Sequence, residues 1–223
     1  MLTLPLGMFI GLLLASYLKN LAKGSKVLRL IYYLPAVSSA VAINIIWRYI
    51  FDMDYGILNV IFGTNVPWLG TSNKWLIRIA IMIKNTWSAI GGTMLLYLAG
   101  LNSISESYYE AAEIDGANKF QKFFKITVPL LSSTTFYLLV VGLIGGLQEF
   151  TRFQAINSVN SNLISPTGPD NAGLTIVFYL YNKAFLTNGG LGIAAATSWL
   201  LAILTTIITI INFKFSKRWV YDG

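Results

Sequence analysis

Apolar residues in this chain run on for the thickness of a lipid bilayer, and that continuity constrains its fold more than any motif. A hydrocarbon core of ~30 Å takes roughly 20 apolar helical residues to cross, and a segment inside it must pair its own backbone groups. Stretches of this kind fall at 1–18, 31–51, 75–101, 124–147 and 191–213. The sequence therefore predicts an all-α membrane protein, a polytopic helical bundle of about five spans forming a single transmembrane domain over 1–223. A further apolar stretch, 174–185, is too short to cross and reads as a re-entrant or interfacial helix. Composition decides between buried soluble helices and a membrane bundle: 55% of residues are hydrophobic and only 11% charged.

Basic residues orient the spans, because short cytoplasmic loops retain Lys and Arg. Lys19, Lys23, Lys26 and Arg29 separate the first two spans, Lys119, Lys122 and Lys125 follow the acidic stretch between the third and fourth, and Lys214, Lys217 and Arg218 close the chain. With alternating spans these groups share one side, and the other holds the scattered Arg48, Lys74, Arg152 and Lys183. The loop 102–123 and the C-terminus are thus expected in the cytoplasm, with Met1 and the segment 148–190 outside. Topology accounts for the net charge of +7, so no nucleic-acid partner is implied.

Cysteine and histidine are both absent. That removes thiol nucleophiles, disulfides, imidazole acid–base chemistry and most transition-metal sites. Met1 to Leu18 lacks the basic lead and small-residue cleavage site of a secretory signal, so it reads as a mature span.

The loop between the third and fourth spans carries Glu110-Ala-Ala-Glu-Ile-Asp-Gly-Ala117, followed by Ile126-Thr-Val-Pro-Leu130. Ser103 and Glu106 have the spacing of a capping box, which predicts a helix start at Ser103. Glu106, Glu110 and Glu113 then recur at i, i+4 and i+7 as an acidic stripe, and Ala111 and Ala112 leave a notch for close approach. Gly116 ends or bends the helix, and a second carries Lys119 and Lys122 opposite Phe120, Phe123 and Phe124. The plain alternative is a solvated hairpin whose charges keep it out of lipid.

The string Glu110-Ala-Ala, Asp115-Gly116-Ala117, Ile126 and Pro129-Leu130 resembles the cytoplasmic EAA loop of ATP-binding-cassette importer permeases. Leu34-Pro35, Asn44, Trp47-Arg48, Phe51, Asp54-Tyr55-Gly56, Asn59, Gln148, Phe150, Ala184-Phe185, Gly192 and Ala194 to Ala196 resemble the maltose-type, carbohydrate-uptake branch. The resemblance implies a multi-pass protein of the bacterial cytoplasmic membrane and a coupling helix, made of Glu110, Ala111, Ala112, Glu113, Asp115, Gly116 and Ala117, that seats in an ATPase subunit. It implies as partners a second homologous permease subunit, two ATPase subunits and an extracellular solute-binding protein. The chain has no Walker-type phosphate loop, so it is not itself an enzyme and binds no cofactor; ATP and Mg belong to the ATPase. The family core has six spans, and this chain starts in what would be the second; either a further span precedes it or this member dispenses with one, and charge bias makes a preceding span the simpler expectation. Other departures are Ser165-Pro-Thr-Gly-Pro169 in the stretch 163–171, where glycines are usual, and Thr151 in place of an acidic residue.

Polar and aromatic groups within apolar spans must face protein, water or solute. Asn44, Asn85, Trp87, Gln148 and Glu149 are the substrate-path candidates, with Thr197 and Ser198 weaker. Asn and Gln offer a donor and an acceptor together, which suits sugar hydroxyls, and Trp offers a face to a sugar ring. Interhelical hydrogen bonding is the competing role, as is an interfacial belt for Trp47, Trp68 and Trp75. Lys84 and Arg78 are expected to snorkel to the interface, and Gly91-Gly92, Gly142 and Gly145-Gly146 to permit close packing or a bend. Two other functions fit less well: an importer of this kind for a non-sugar solute, and a gradient-driven secondary carrier, which leaves the Glu-Ala-Ala string unexplained.

Overall fold

The computed structural model describes residues 2–21, 24–69, 73–150 and 171–221. The readings made on Met1, Lys23, Thr151, Arg152 and 163–170 lie outside the described residues.

Among the described residues the chain is all helical. In order, the helices are α1 (Thr3–Lys19), α2 (Ser25–Val37), α3 (Ala40–Ile50), α4 (Ile57–Phe62), α5 (Lys74–Ser103), α6 (Glu106–Ile114) and α7 (Lys119–Lys122). A π-helical turn over Phe123–Thr127 leads into α8 (Val128–Leu130), α9 (Ser132–Leu147), α10 (Ile176–Phe185) and α11 (Leu191–Ser216).

Length and composition qualify α5, with 30 residues, and α11, with 26, as uninterrupted membrane spans. The five continuous spans expected from the sequence are not all continuous. The stretch 31–51 is divided at Ser38-Ser39 into α2 and α3. Pro35 cannot supply the amide that would bond the carbonyl four residues back, and Ser39 adopts an extended ψ of 126° as the N-cap of α3. The stretch 124–147 starts within the π turn and bends by 60° at Leu131. Pro129 again removes a ladder donor. Counting each broken pair as one span gives up to four, beside the apolar 17-residue α1. Within the short stretch 174–185, α10 covers Ile176–Phe185.

The chain divides into two compact units. One comprises Met1–Ala36, Trp87–Leu143 and Ile207–Gly223, the other Val37–Thr86 and Ile144–Thr206. The core of the first is built by Met8, Ala15 and Leu18 of α1, Tyr97 and Leu101 of α5, and Leu131. Small residues bring α1 and α5 together. A Cβ on Gly11 would lie 2.3 Å from Thr93 Oγ1, and that hydroxyl donates to the Gly7 carbonyl at 3.1 Å. Gly91 serves α2 likewise, since a Cβ there would lie 2.2 Å from the Tyr32 carbonyl oxygen. Close backbone approach through small residues is the usual way helices pack when lipid, not water, surrounds them.

In the second unit Ile77 and Ile81 of α5 pack with Leu69 and Ala172. The many exposed large side chains, among them Trp199, Leu200 and Ile203 of α11, would be costly in water and are ordinary against acyl chains.

Candidate functional site

The glutamate-rich loop folds into a helix, a tight turn and a second helix, and each part follows from its residues. α5 runs through Ser103, whose Oγ donates back to the Gly100 carbonyl at 2.8 Å. The cap of α6 is therefore Ser105, not Ser103 as the spacing to Glu106 suggested; its Oγ accepts from the Ser107 amide. Burial of Leu101 and Ile104 explains the shift, because core packing carries α5 beyond the position local capping would choose.

The C-terminus of α6 explains the motif's spacing. The Ala117 amide donates to the Ala112 carbonyl at 2.8 Å, and the Gly116 amide to the Glu113 carbonyl at 3.0 Å. This is a Schellman closure, which requires a left-handed residue at its centre; Gly116 has φ +74°. Asn118 then opens α7 with a reciprocal capping box. Its side chain accepts from the Gln121 amide at 2.9 Å, and Gln121 Oε1 accepts from the Asn118 amide at 2.8 Å. The two helices thus meet at a corner fixed by backbone bonds.

Side chains brace that corner. Glu113 and Lys122 form an ion pair between α6 and α7, and the ammonium holds the Glu113 carboxyl below its ordinary pKa, first by its hydrogen bond and then by its charge. Tyr109 OH meets Thr127 Oγ1 at 3.0 Å, where the π turn leaves the Lys122 carbonyl to accept from the same hydroxyl at 3.4 Å. Lys19 Nζ lies 5.1 Å from the Tyr109 ring centroid and donates to the Leu101 carbonyl at 2.9 Å, a cation placed near the negative end of α5.

The two alanines are not equivalent. Ala112 is buried while Ala111 is exposed, so the notch expected from the pair is open on one side only. Nor is the acidic stripe wholly available, since Glu113 is engaged by Lys122. What the module presents outward is Glu106, Glu110, Ala111 and Asp115, with Tyr108 and Ile114 alongside.

The substrate-path candidates do not assemble into one cluster. Asn44 of α3 is fully buried, and its Oδ1 accepts from Lys84 Nζ of α5 at 2.5 Å. Lys84 is 1% exposed, which contradicts the expectation that it snorkels; its long stem turns inward because a polar partner waits there. Arg78 is exposed and stacks over Trp75 at 5.1 Å. Asn85 Oδ1, Thr86 Oγ1 and Ser88 Oγ are buried without a hydrogen-bond partner among the described residues. Thr86 and Ser88 were missed by sequence reasoning, although the run Asn85-Thr-Trp-Ser88 inside an apolar span was the available signal.

Trp87 is exposed and belongs to the first unit, whereas Gln148, exposed, and Glu149, half-buried, belong to the second. Phe150 beside them stacks on Tyr181 and Phe178 of α10, with centroids 5.0 and 5.9 Å apart. Thr197 and Ser198 bond back to the Ile193 and Ala194 carbonyls of their own helix, at 2.8 and 3.0 Å. Gly145 and Gly146 have nothing in van der Waals reach of an added Cβ, unlike Gly142, where one would meet Leu4.

Residues 7–221 match the family described as binding-protein-dependent transport system inner membrane component. The chain belongs to this family. Among relatives, this inner membrane component is 35% identical over 221 residues to the probable ABC transporter permease protein YesP of Bacillus subtilis, covering 97% of this chain and 69% of YesP. It is 31% identical to the lactose transport system permease protein LacF of Rhizobium radiobacter, covering 96% and 71% of the two chains. Among solved structures, it superposes with a TM-score of 0.75 and 25% identity on a bacterial ABC transporter involved in import of the acidic polysaccharide alginate, covering 97% of this chain and 77% of the other. A bacterial alginate ABC transporter in complex with an alginate pentasaccharide-bound periplasmic protein matches with a TM-score of 0.76 and 25% identity, covering 99% of this chain and 74% of the other. The segment whose sequence resembles the EAA loop is the α6–Gly116–α7 corner.

Proposed function

We propose that this inner membrane component is one permease half of an ATP-driven, binding-protein-dependent sugar importer, working beside a second homologous permease subunit. The corner α6–Gly116–α7 is its coupling element. It faces the cytoplasm and seats Glu110 and Ala111 in a cleft of an ATP-binding-cassette ATPase, which carries the ATP and Mg and does all the hydrolysis.

The observation that carries this reading is the pairing of a buried Ala112 with an exposed Glu110 and Ala111 on a helix locked at both ends. A lever must not flex at its tip. Backbone closure at Gly116, the Asn118–Gln121 box and the Glu113–Lys122 pair make the corner stiff, and Tyr109 packs it against the core beneath. When two ATPases close, two such corners move together and the helices above convert that movement into alternating exposure of a central path.

Sugar as cargo is supported by the relatives, by the alginate importers, and by the chemistry of Asn85, Thr86 and Ser88. Among the described residues their oxygens have no hydrogen-bond partner, and an unsatisfied buried oxygen costs about 1–3 kcal/mol, a cost that solute hydroxyls can offset. Asn44 is better assigned to holding Lys84. An sn-glycerol-3-phosphate permease of Yersinia pestis is also 31% identical, which favours a phosphorylated polyol as the second reading.

Reconstitution of the complete importer in liposomes with its binding protein tests the proposal. Glu110→Lys should abolish both solute uptake and binding-protein-stimulated ATP hydrolysis while the permease halves stay assembled. Unchanged uptake in that variant, or gradient-driven uptake by this chain without an ATPase, would overturn it.

A further inference from the structure

Residues 51–68 fold around one side chain. Asn59 Nδ2 donates to the carbonyls of Val66, Met53 and Asp52 at 2.9, 3.1 and 3.3 Å. Its Oδ1 accepts from Trp68 Nε1 at 3.1 Å and from Thr64 Oγ1 and the Val66 amide, both at 3.2 Å. Asp52 Oδ1 closes the entry turn by accepting from the amides of Asp54 and Tyr55 at 3.0 Å. Phe51 is fully buried, with the rings of Trp47 and Trp68 at 5.2 and 5.8 Å.

The result is a segment with its polarity inverted relative to a loop in water. The one polar side chain of α4, Asn59, is 3% exposed, whereas Val60, Ile61 and Phe62 are each exposed by more than two thirds. No charged residue occurs between Tyr55 and Asn73. α3 packs against α4 and itself exposes Val41, Ile45, Ile46 and Tyr49. α4 turns Ile57, Val60, Ile61 and Phe62 outward, a hydrocarbon surface matched to acyl chains, and the polar Thr64 and Asn65 are exposed just after it. A protein partner fits less well, because α4 itself turns no hydrogen-bonding or charged side chain outward to fix a register.

We propose that α4 is a membrane-interface anchor whose Val60, Ile61 and Phe62 enter the boundary between headgroups and acyl chains, while Asp52 and Asp54 mark the aqueous edge. The segment after α3 is therefore held on the bilayer surface. The inference is independent of the cargo and of ATPase docking.

The chain has no cysteine, so Val60→Cys, Ile61→Cys and Asp54→Cys can each carry a nitroxide in the assembled complex, in phosphatidylcholine–phosphatidylglycerol liposomes. At 60 and 61 collision with dissolved oxygen should persist and collision with a water-soluble nickel chelate should be lost, while 54 keeps its access to nickel. Nickel access at 60 and 61 equal to that at 54 would overturn the proposal. So would exclusion of both reagents from 60 and 61, the signature of a covering protein. Either failure leaves the transport reading standing if the labelled complex still takes up solute.

Discussion

Glu113 and Lys122 are joined by an ion pair across the Gly116 turn, so the angle between α6 and α7 is set by charge as well as by backbone. The Glu113 carboxyl is held below its ordinary value by Lys122. A carboxyl with a lowered pKa stabilises the folded state above its unfolded pKa, about 4.3 for Glu, and that contribution is lost as pH falls through the lowered value. Thermal unfolding of the solubilised complex should thus separate wild type from Glu113→Gln slightly at pH 7, and the gap should close on acidification and in high salt. A gap that widens in acid contradicts the pairing.

Gly91 and Gly92 are neighbours with opposite expectations. An added Cβ at Gly91 meets the Tyr32 carbonyl oxygen at 2.2 Å, and one at Gly92 meets nothing within 4 Å. Gly91→Ala should destabilise by about 1–3 kcal/mol through overpacking, whereas Gly92→Ala should be neutral or stabilising, by at most about 1 kcal/mol from helix propensity. Paired unfolding measurements decide it; equal effects would show that α2 does not pack on α5 at Gly91.

The Lys84–Asn44 contact predicts strong coupling. A hydrogen bond to a charged group contributes about 1.5–3 kcal/mol, and removing one member leaves the other buried. Asn44→Leu should therefore cost more than Lys84→Met, and the double variant should cost less than the sum of the two. An additive cycle would mean that the two side chains do not depend on each other.

The helical membrane bundle was legible because apolar run length and composition do not depend on tertiary contacts. So was the turn at Gly116, where a local rule, the left-handed residue of a helix C-terminus, meets no competitor. The break at Ser38-Ser39 was signalled by Pro35, yet apolarity on both sides masked it. The Ser105 cap was misplaced by two residues because burial of Leu101 and Ile104 overrode capping preference. Lys84 was misread for a different reason: its partner lies 40 residues away in sequence, and no periodicity carries that information.

The central claim is that the α6 corner is where an ATPase docks. Ala111 is exposed on that corner and the chain lacks native cysteine, so Ala111→Cys can be tested for disulfide formation against single cysteines placed around the ATPase cleft in the assembled importer. The account predicts a rapid crosslink that blocks solute uptake and is released by reductant, with no crosslink from a cysteine at the buried Ala112. Absence of any crosslink from position 111 in a complex that still couples ATP hydrolysis to uptake would contradict it.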